Sequence, residues 1–228
     1  MQTATLDLDK VLKAITLNVG VLKEMSLADV LAVHPLVNAA GLAYGKARKT
    51  KPIKVRPVNT ILDKSPQTQT IFEKMLLSTL EGAQSLKRDS MICWGVDGDV
   101  WQQTKKKLDQ KYTPTEMDED GWVTYVPKEG DDAVMNYHTV TAEDAELGPG
   151  DGFAIINPTW GDERVVSREV LEAAGIDPVA CGLKATGDAW KVYLHYGKAG
   201  DTVLQNQKDS TDMYRIAAAF FVSTYEVT

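Results

Sequence analysis

The sequence predicts an α+β protein: a helical N-terminal region over residues 1–89, then a β-rich, mainly antiparallel domain with short helices over residues 90–228. Three observations carry this. In the first ninety residues apolar side chains recur at spacings of three and four behind good N-cap residues. From Ser90 onward, short β-branched and aromatic runs alternate with Gly, Asp and Asn punctuation. The chain of 228 residues, 43% hydrophobic and 25% charged, is long and apolar enough to bury a real core in one large domain or two small ones.

In chain order, Asp7 is a candidate cap for a helix with Leu8, Val11, Leu12 and Ile15 on one face. Ser26 with Asp29 three residues on has the form of a capping box, and Pro35 ends or kinks the helix it starts. A second helix is expected from Pro35 through "LVNAAGLAYGKARK", with its bases at the C-terminal end, where the dipole favours them. Thr50 to Pro66, with three prolines, reads as an extended connector with one short strand. Ser65 and Pro66 then suit the start of a helix that turns Phe72, Met75, Leu76, Thr79 and Leu80 inward.

In the second part, "SMICWGV" reads as a strand, "DGD" as a turn and "DVWQQTKKKLDQKY" as a helix whose N-cap is Asp99. Strands are expected in "GWVTYVP", "AVMNYHTV", "GFAIIN", "RVVS" and "AWKVYLHY". A short helix "REVLEAAG", capped by Ser167 and ended by Gly175, separates the last two. The C-terminal "DMYRIAAAFFVSTYEVT" mixes both signals, and its β-branched, aromatic end favours strand after Ala219. The "GPGDG" turn at 148–152 has Pro149 and Gly150 suited to a type II turn and opens a β run, so it reads as a strand-initiating turn rather than a ligand cradle.

Charge is unevenly spread. Between Thr113 and Asp151 eleven acids face the single base Lys128, whereas Lys46, Arg48, Lys49, Lys51, Lys54 and Arg56 form a basic run without an acid. The six bases are the candidate contact surface, suited to an acidic partner. Without interleaved aromatics, they do not suit single-stranded nucleic acid. Apolar runs such as Ile216 to Val222 fall short of the roughly 20 residues of a membrane span. The N-terminus lacks a basic start and apolar stretch, so a cytoplasmic location is expected. Cys93 and Cys181, in separate segments, agree with a reducing compartment.

Sites of known chemistry do not emerge. "GLAYGK" is one residue short of a phosphate-binding loop, has Ala47 where a hydroxyl would hold magnesium, and follows no strand. "EMDEDG" imitates a calcium loop, but with Gly121 in sixth place the twelfth residue is Pro127 instead of Glu. His34, His138 and His195 have no zinc-site spacing. No metal, cofactor or catalytic residue is therefore assigned.

"ICWGVDGDVWQQTKKKLDQKY", "GWVTYVPK" and "GPGDGFAII" followed by "ERVVSREVL" together resemble the small PGDYG-type domain of phage-encoded proteins over about Ser90 to Gly175. The shared features are the Trp101 to Tyr112 helix, Pro127 and Lys128 at a strand end, and the turn Pro149, Gly150 and Asp151; Gly152 and Phe153 replace the Tyr and Gly of the signature. The resemblance implies a compact α+β domain of phage or prophage origin and no particular reaction. The expected function is a phage-type accessory or virion-associated interaction protein acting on a protein partner, or on copies of itself, in the host cytoplasm or virion. The alternative is an enzyme or nucleotide-binding factor with a pocket between the two parts, where Trp94, Trp101, Trp122 and Trp160 stack on a base.

Overall fold

A computed structural model describes residues 15–17, 26–39, 42–61, 75–79, 82–130, 133–147, 152–157 and 161–228. In chain order come β1 Ile15–Leu17, α1 Leu27–Val33, β2 Leu36–Val37, β3 Gly45–Lys49, β4 Ile53–Pro57, α2 Val58–Ile61, β5 Met75–Thr79 and β6 Gly82–Ser85. Next are β7 Met91–Trp94, β8 Val100–Gln103, α3 Lys105–Lys111, β9 Tyr112–Met117, β10 Val123–Pro127, β11 Val134–Thr139 and a 3-10 turn, Ala142–Ala145. The rest are β12 Gly152–Asn157, β13 Asp162–Ser167, α4 Arg168–Ala173, β14 Lys184–Thr186, β15 Ala189–Lys198, β16 Thr202–Asn206, β17 Met213–Ile216, α5 Ala218–Thr224 and β18 Tyr225–Val227. The chain divides into two compact units, Met1–Gly20 with Lys51–Ala133 and Val21–Thr50 with Val134–Thr228. Among the described residues no helix is long and apolar enough to cross a membrane.

The first unit contains the antiparallel sheet β8-β7-β4-β10-β9 and the smaller sheet β1-β5-β6. Alternation along β4 and β7 sends Val55 and Cys93 to one face and Ile92 and Trp94 to the other, and both faces are covered. One core holds Ile53, Val55, Cys93, Leu108, Tyr112 and Tyr125; the other holds Val58, Leu77, Ile92, Trp94, Val100 and Trp122. Helix α3 begins where the Thr104 side chain accepts from the N–H of Lys107, and it buries Leu108 completely. That one side chain contributes about 1.5–3 kcal/mol. In the β9–β10 turn Asp118 Oδ1 accepts from the Trp122 N–H at 2.8 Å, and Gly121 supplies the left-handed φ of 80°.

The second unit holds two sheets, β17-β16-β11-β3-β18 and β13-β15-β12-β2, with β14 also on β15. Their pairing is antiparallel except for β12 with β2. Val37, Phe153 and Ile155 from one sheet meet Val203 and Met213 from the other in a shared core. The Ser26 side chain and Asp29 close the capping box of α1, which buries Leu27 and Val30 against Leu171, Val192 and Leu194. Helix α5 lays Phe221 on Tyr225, with ring centroids 5.3 Å apart, on the opposite side of the β3 sheet.

The α+β expectation with a helical N-terminal region is overturned: the described residues are mainly strand with short helices, and strands also dominate what is described of residues 1–89. The expected helix from Pro35 is instead β2 and β3. Small residues and lysines favour a helix locally, but β3 pairs with β11 on one side and β18 on the other, and only Ala47 of its five residues is buried. The expected inward face of Met75, Leu76 and Thr79 is also absent. These residues lie in β5, paired to β1 and β6, with Leu77 as its buried residue. Ser65, Pro66, Phe72 and Leu80, like Asp7 to Ala14, lie outside the described residues, while Ile15 opens a strand.

In the second part the strands at 91–94, 123–127, 134–139, 152–157, 162–167 and 189–198 stand where alternation places them. Two helix boundaries differ. Trp101 belongs to β8, so the helix starts later with Thr104 as its cap, and Asp99 closes the β7–β8 hairpin through Gly95 N–H to Asp99 O at 2.9 Å. At the C-terminus the alanines prevail, and α5 runs to Thr224 before the strand begins.

Candidate interaction surface

The six bases of the expected contact surface do not share one strand. Lys46, Arg48 and Lys49 lie on β3 in the second unit, and Lys51, Lys54 and Arg56 lie on or just before β4 in the first. On β4 the bases are engaged within their own unit. Lys54 Nζ is 3.0 Å from Asp118 Oδ2, and Arg56 donates to the hydroxyl and carbonyl of Thr60 at 3.1 and 2.8 Å. Lys51 is exposed. Partial burial pushes the Asp118 carboxyl up, but Lys54 and the N–H groups of Trp122 and Asp120 outweigh it and hold it below the usual carboxylate range.

On β3 the period of two puts Lys46 and Arg48 on one face and Ala47 and Lys49 on the other, where Lys49 Nζ sits 5.8 Å from the Tyr225 ring centre. Register then aligns Asn136 with Lys46 and Val134 with Arg48 on β11, and Gln205 of β16 with Asn136. The result is a polar row across three strands. Lys46 Nζ donates to Asn136 Oδ1 at 2.5 Å, Asn136 Nδ2 to Gln205 Oε1 at 3.4 Å, and Gln205 Nε2 to the Ser210 carbonyl at 3.4 Å. Because an ammonium only donates, it fixes Asn136 with its oxygen toward Lys46, and that choice propagates to Gln205. All three bonds point the same way, so they polarise one another.

Beside this row, Arg48 Nε is buried, and no described residue accepts from it. Leaving such a donor without an acceptor costs about 1–3 kcal/mol. Glu226 lies across from Arg48 on β18, but no ion pair joins them among the described residues. The half-buried Val134 on the other side gives the face an apolar patch.

A second polar cluster draws attention as a His–Asp pair. His138 Nε2 lies 2.9 Å from Asp144 Oδ2 and its Nδ1 lies 2.8 Å from the Ala43 carbonyl, with the Tyr44 ring edge-on at 6.3 Å. Both ring nitrogens are thus occupied by acceptors, so neither offers a lone pair to a substrate. The pair is a staple between β11, the 42–44 segment and the 3-10 turn. Burial pushes the Asp144 carboxyl up, but His138 and the Thr141 N–H and hydroxyl outweigh it and hold it low. Tyr44 donates to the Ala39 carbonyl, and burial raises its phenol to about 12.

Trp94 and Trp122 are buried and pack edge to face at 6.0 Å, so they form core rather than a stacking platform; Trp160 lies outside the described residues. His195 is buried, and the His34 ring fills the space a side chain on Gly152 would take. Of the "GPGDG" turn only Gly152 is described, and its lack of a side chain serves that contact. The Cys93 thiol is buried and accepts from Gln103 Nε2 at 3.5 Å, and burial followed by Asp177 raises the Cys181 thiol. Among the described residues no three His, Cys, Asp or Glu side chains gather to hold a metal ion.

Sequence reading missed Asn136, Gln205 and Val134. Their signal was the alternation in "AVMNYHTV" and "TVLQNQ", which marks polar outward positions without saying which strands adjoin. Comparison with protein-family models, with curated proteins and with solved structures finds no match to this chain.

Proposed function

We propose that the chain is an interaction protein, a phage-type accessory or virion-associated component, acting through the Lys46, Arg48, Asn136 and Gln205 face of its β3–β11–β16 sheet. The phage setting, and with it a place in the host cytoplasm or virion, rests on the sequence resemblance. The observation that carries the interaction reading is the pair of cations Lys46 and Arg48 on one face of β3, Lys46 exposed, beside a row of ordered polar side chains. An incoming carboxylate would pair with the Lys46 ammonium and the Arg48 guanidinium, and the row would add directed hydrogen bonds. The base-stacking alternative has lost Trp94 and Trp122 to the core.

The test is a photo-crosslinking residue at position 205, compared with one at the exposed Thr186 on β14 of the same unit. Protein adducts from position 205 and not from 186 are expected, and Arg48→Glu should abolish them. Equal yield from both positions, or none from either, removes the reading.

A further inference from the structure

We infer that the occupant of the β3 face is the acidic tip of the β9–β10 hairpin of a second copy of this chain. The inference rests on the reading of that face as an interaction surface and names its partner. The tip carries Glu116, Asp118, Glu119 and Asp120 in five residues. Lys54 holds Asp118, which leaves Glu116, Glu119 and Asp120 exposed and pointing charge outward. All of Thr113–Met117 is exposed on this edge strand, and Met117, 70% exposed, is an apolar side chain presented to solvent beside the acids.

The face is its chemical complement. Lys46 and Arg48 supply two cations against the one acid Glu226 opposite Arg48, and Val134 between Arg48 and Gln207 gives Met117 an apolar seat. A carboxylate fits an arginine fork, and two or three such contacts suit a small, salt-sensitive interface. Nucleic acid fits less well. Binding a polyanion takes several phosphate contacts, but this face has two cations on a chain of net charge −7, and no Phe, Tyr or Trp stands among Lys46, Arg48, Val134, Asn136 and Gln205. The contact joins two different patches, so a bound pair keeps one free face and one free tip, and association extends head to tail.

Sedimentation velocity on the full chain tests this. At low salt the average sedimentation coefficient should rise with concentration, and raising salt from about 20 to 300 mM should weaken association at least about tenfold, because the Debye length shrinks below the reach of an exposed pair. The Lys46→Glu/Arg48→Glu variant carries acid on both patches, and the Glu116→Lys/Glu119→Lys/Asp120→Lys variant carries base on both. Each should stay monomeric alone, and their mixture should associate. Circular dichroism establishes that both fold, and Arg48→Gln with Glu119→Gln serves as a milder pair whose partial loss is expected if either does not. A wild type that is monomeric at about 1 mM, beyond which self-association is worth less than ~4 kcal/mol, overturns the inference. Association that survives in both variants does the same. If the wild type is monomeric while position 205 still crosslinks another protein, the interaction reading stands and only the second copy falls.

Discussion

Asn157 donates from Nδ2 to the carbonyl oxygen of Met213 at 2.6 Å, fully buried between the two sheets of the second unit. The bond ties β12 to β17 where no backbone ladder joins them. Asn157→Ala removes the donor and opens a cavity, an expected loss of about 2–4 kcal/mol. Asn157→Asp sets a carboxylate against a carbonyl. Its loss should be larger at pH 7 than at pH 4, where the protonated acid can donate. Urea titrations followed by tryptophan fluorescence read both; a change under about 0.5 kcal/mol in each variant contradicts the tie.

The Phe153 ring, itself fully buried, occupies the volume that a side chain on Gly197 would need. Gly197→Ala is therefore expected to cost about 1–3 kcal/mol by overpacking. Phe153→Leu should make the same substitution less costly. A double-mutant cycle with no coupling between the two positions would place the strain elsewhere.

Asp118 and Asp144 are both held below their ordinary carboxylate range, so the unfolded chain binds protons that the folded chain does not. Their contribution to stability is complete above the unfolded value of about 3.9 and is lost as pH falls through the folded values. Asp118→Asn and Asp144→Asn should each flatten the decline of stability on acidification below about pH 4. Melting temperatures measured in steps down to about pH 2.5 check this, and curves parallel to wild type would rule it out.

Thr124 Oγ1 is buried on β10 without a hydrogen-bond partner among the described residues. Thr124→Val keeps the shape and removes the orphan hydroxyl, so it should stabilise by up to about 1 kcal/mol, against the usual direction of core substitutions. Destabilisation on chemical unfolding would show that the hydroxyl has a partner.

The legible parts of the fold were those with local causes. The Ser26 and Asp29 capping box lies within one turn, and β15 shows its alternation along ten residues. β3 failed because its preference is set at a distance: "GKARK" reads as a helix end until β11 and β18 claim both of its edges. The candidate surface was legible only in part for the same reason. Its basic members were visible as a run, yet the run divides between two sheets, and the polar row needs Lys46 and Asn136 aligned across 90 residues and Asn136 and Gln205 across 69. His138 and Asp144 are only six apart, but nothing local shows that Ala43 takes the second nitrogen.

β3 and β11 are antiparallel neighbours, with Arg48 opposite Val134, and the chain departs after the first and returns into the second. Residues 51–133, which with residues 1–20 make up the first unit, are therefore inserted where a plain hairpin would otherwise turn. Removing residues 51–133 and joining Thr50 to Val134 through an Asn-Gly turn followed by two strand residues keeps Arg48 opposite Val134 and leaves every strand of the second unit in place. Closing two strands over a short turn instead of some eighty residues spares about 2–3 kcal/mol of chain entropy, so the trimmed unit should pair these strands early and fold faster than the whole.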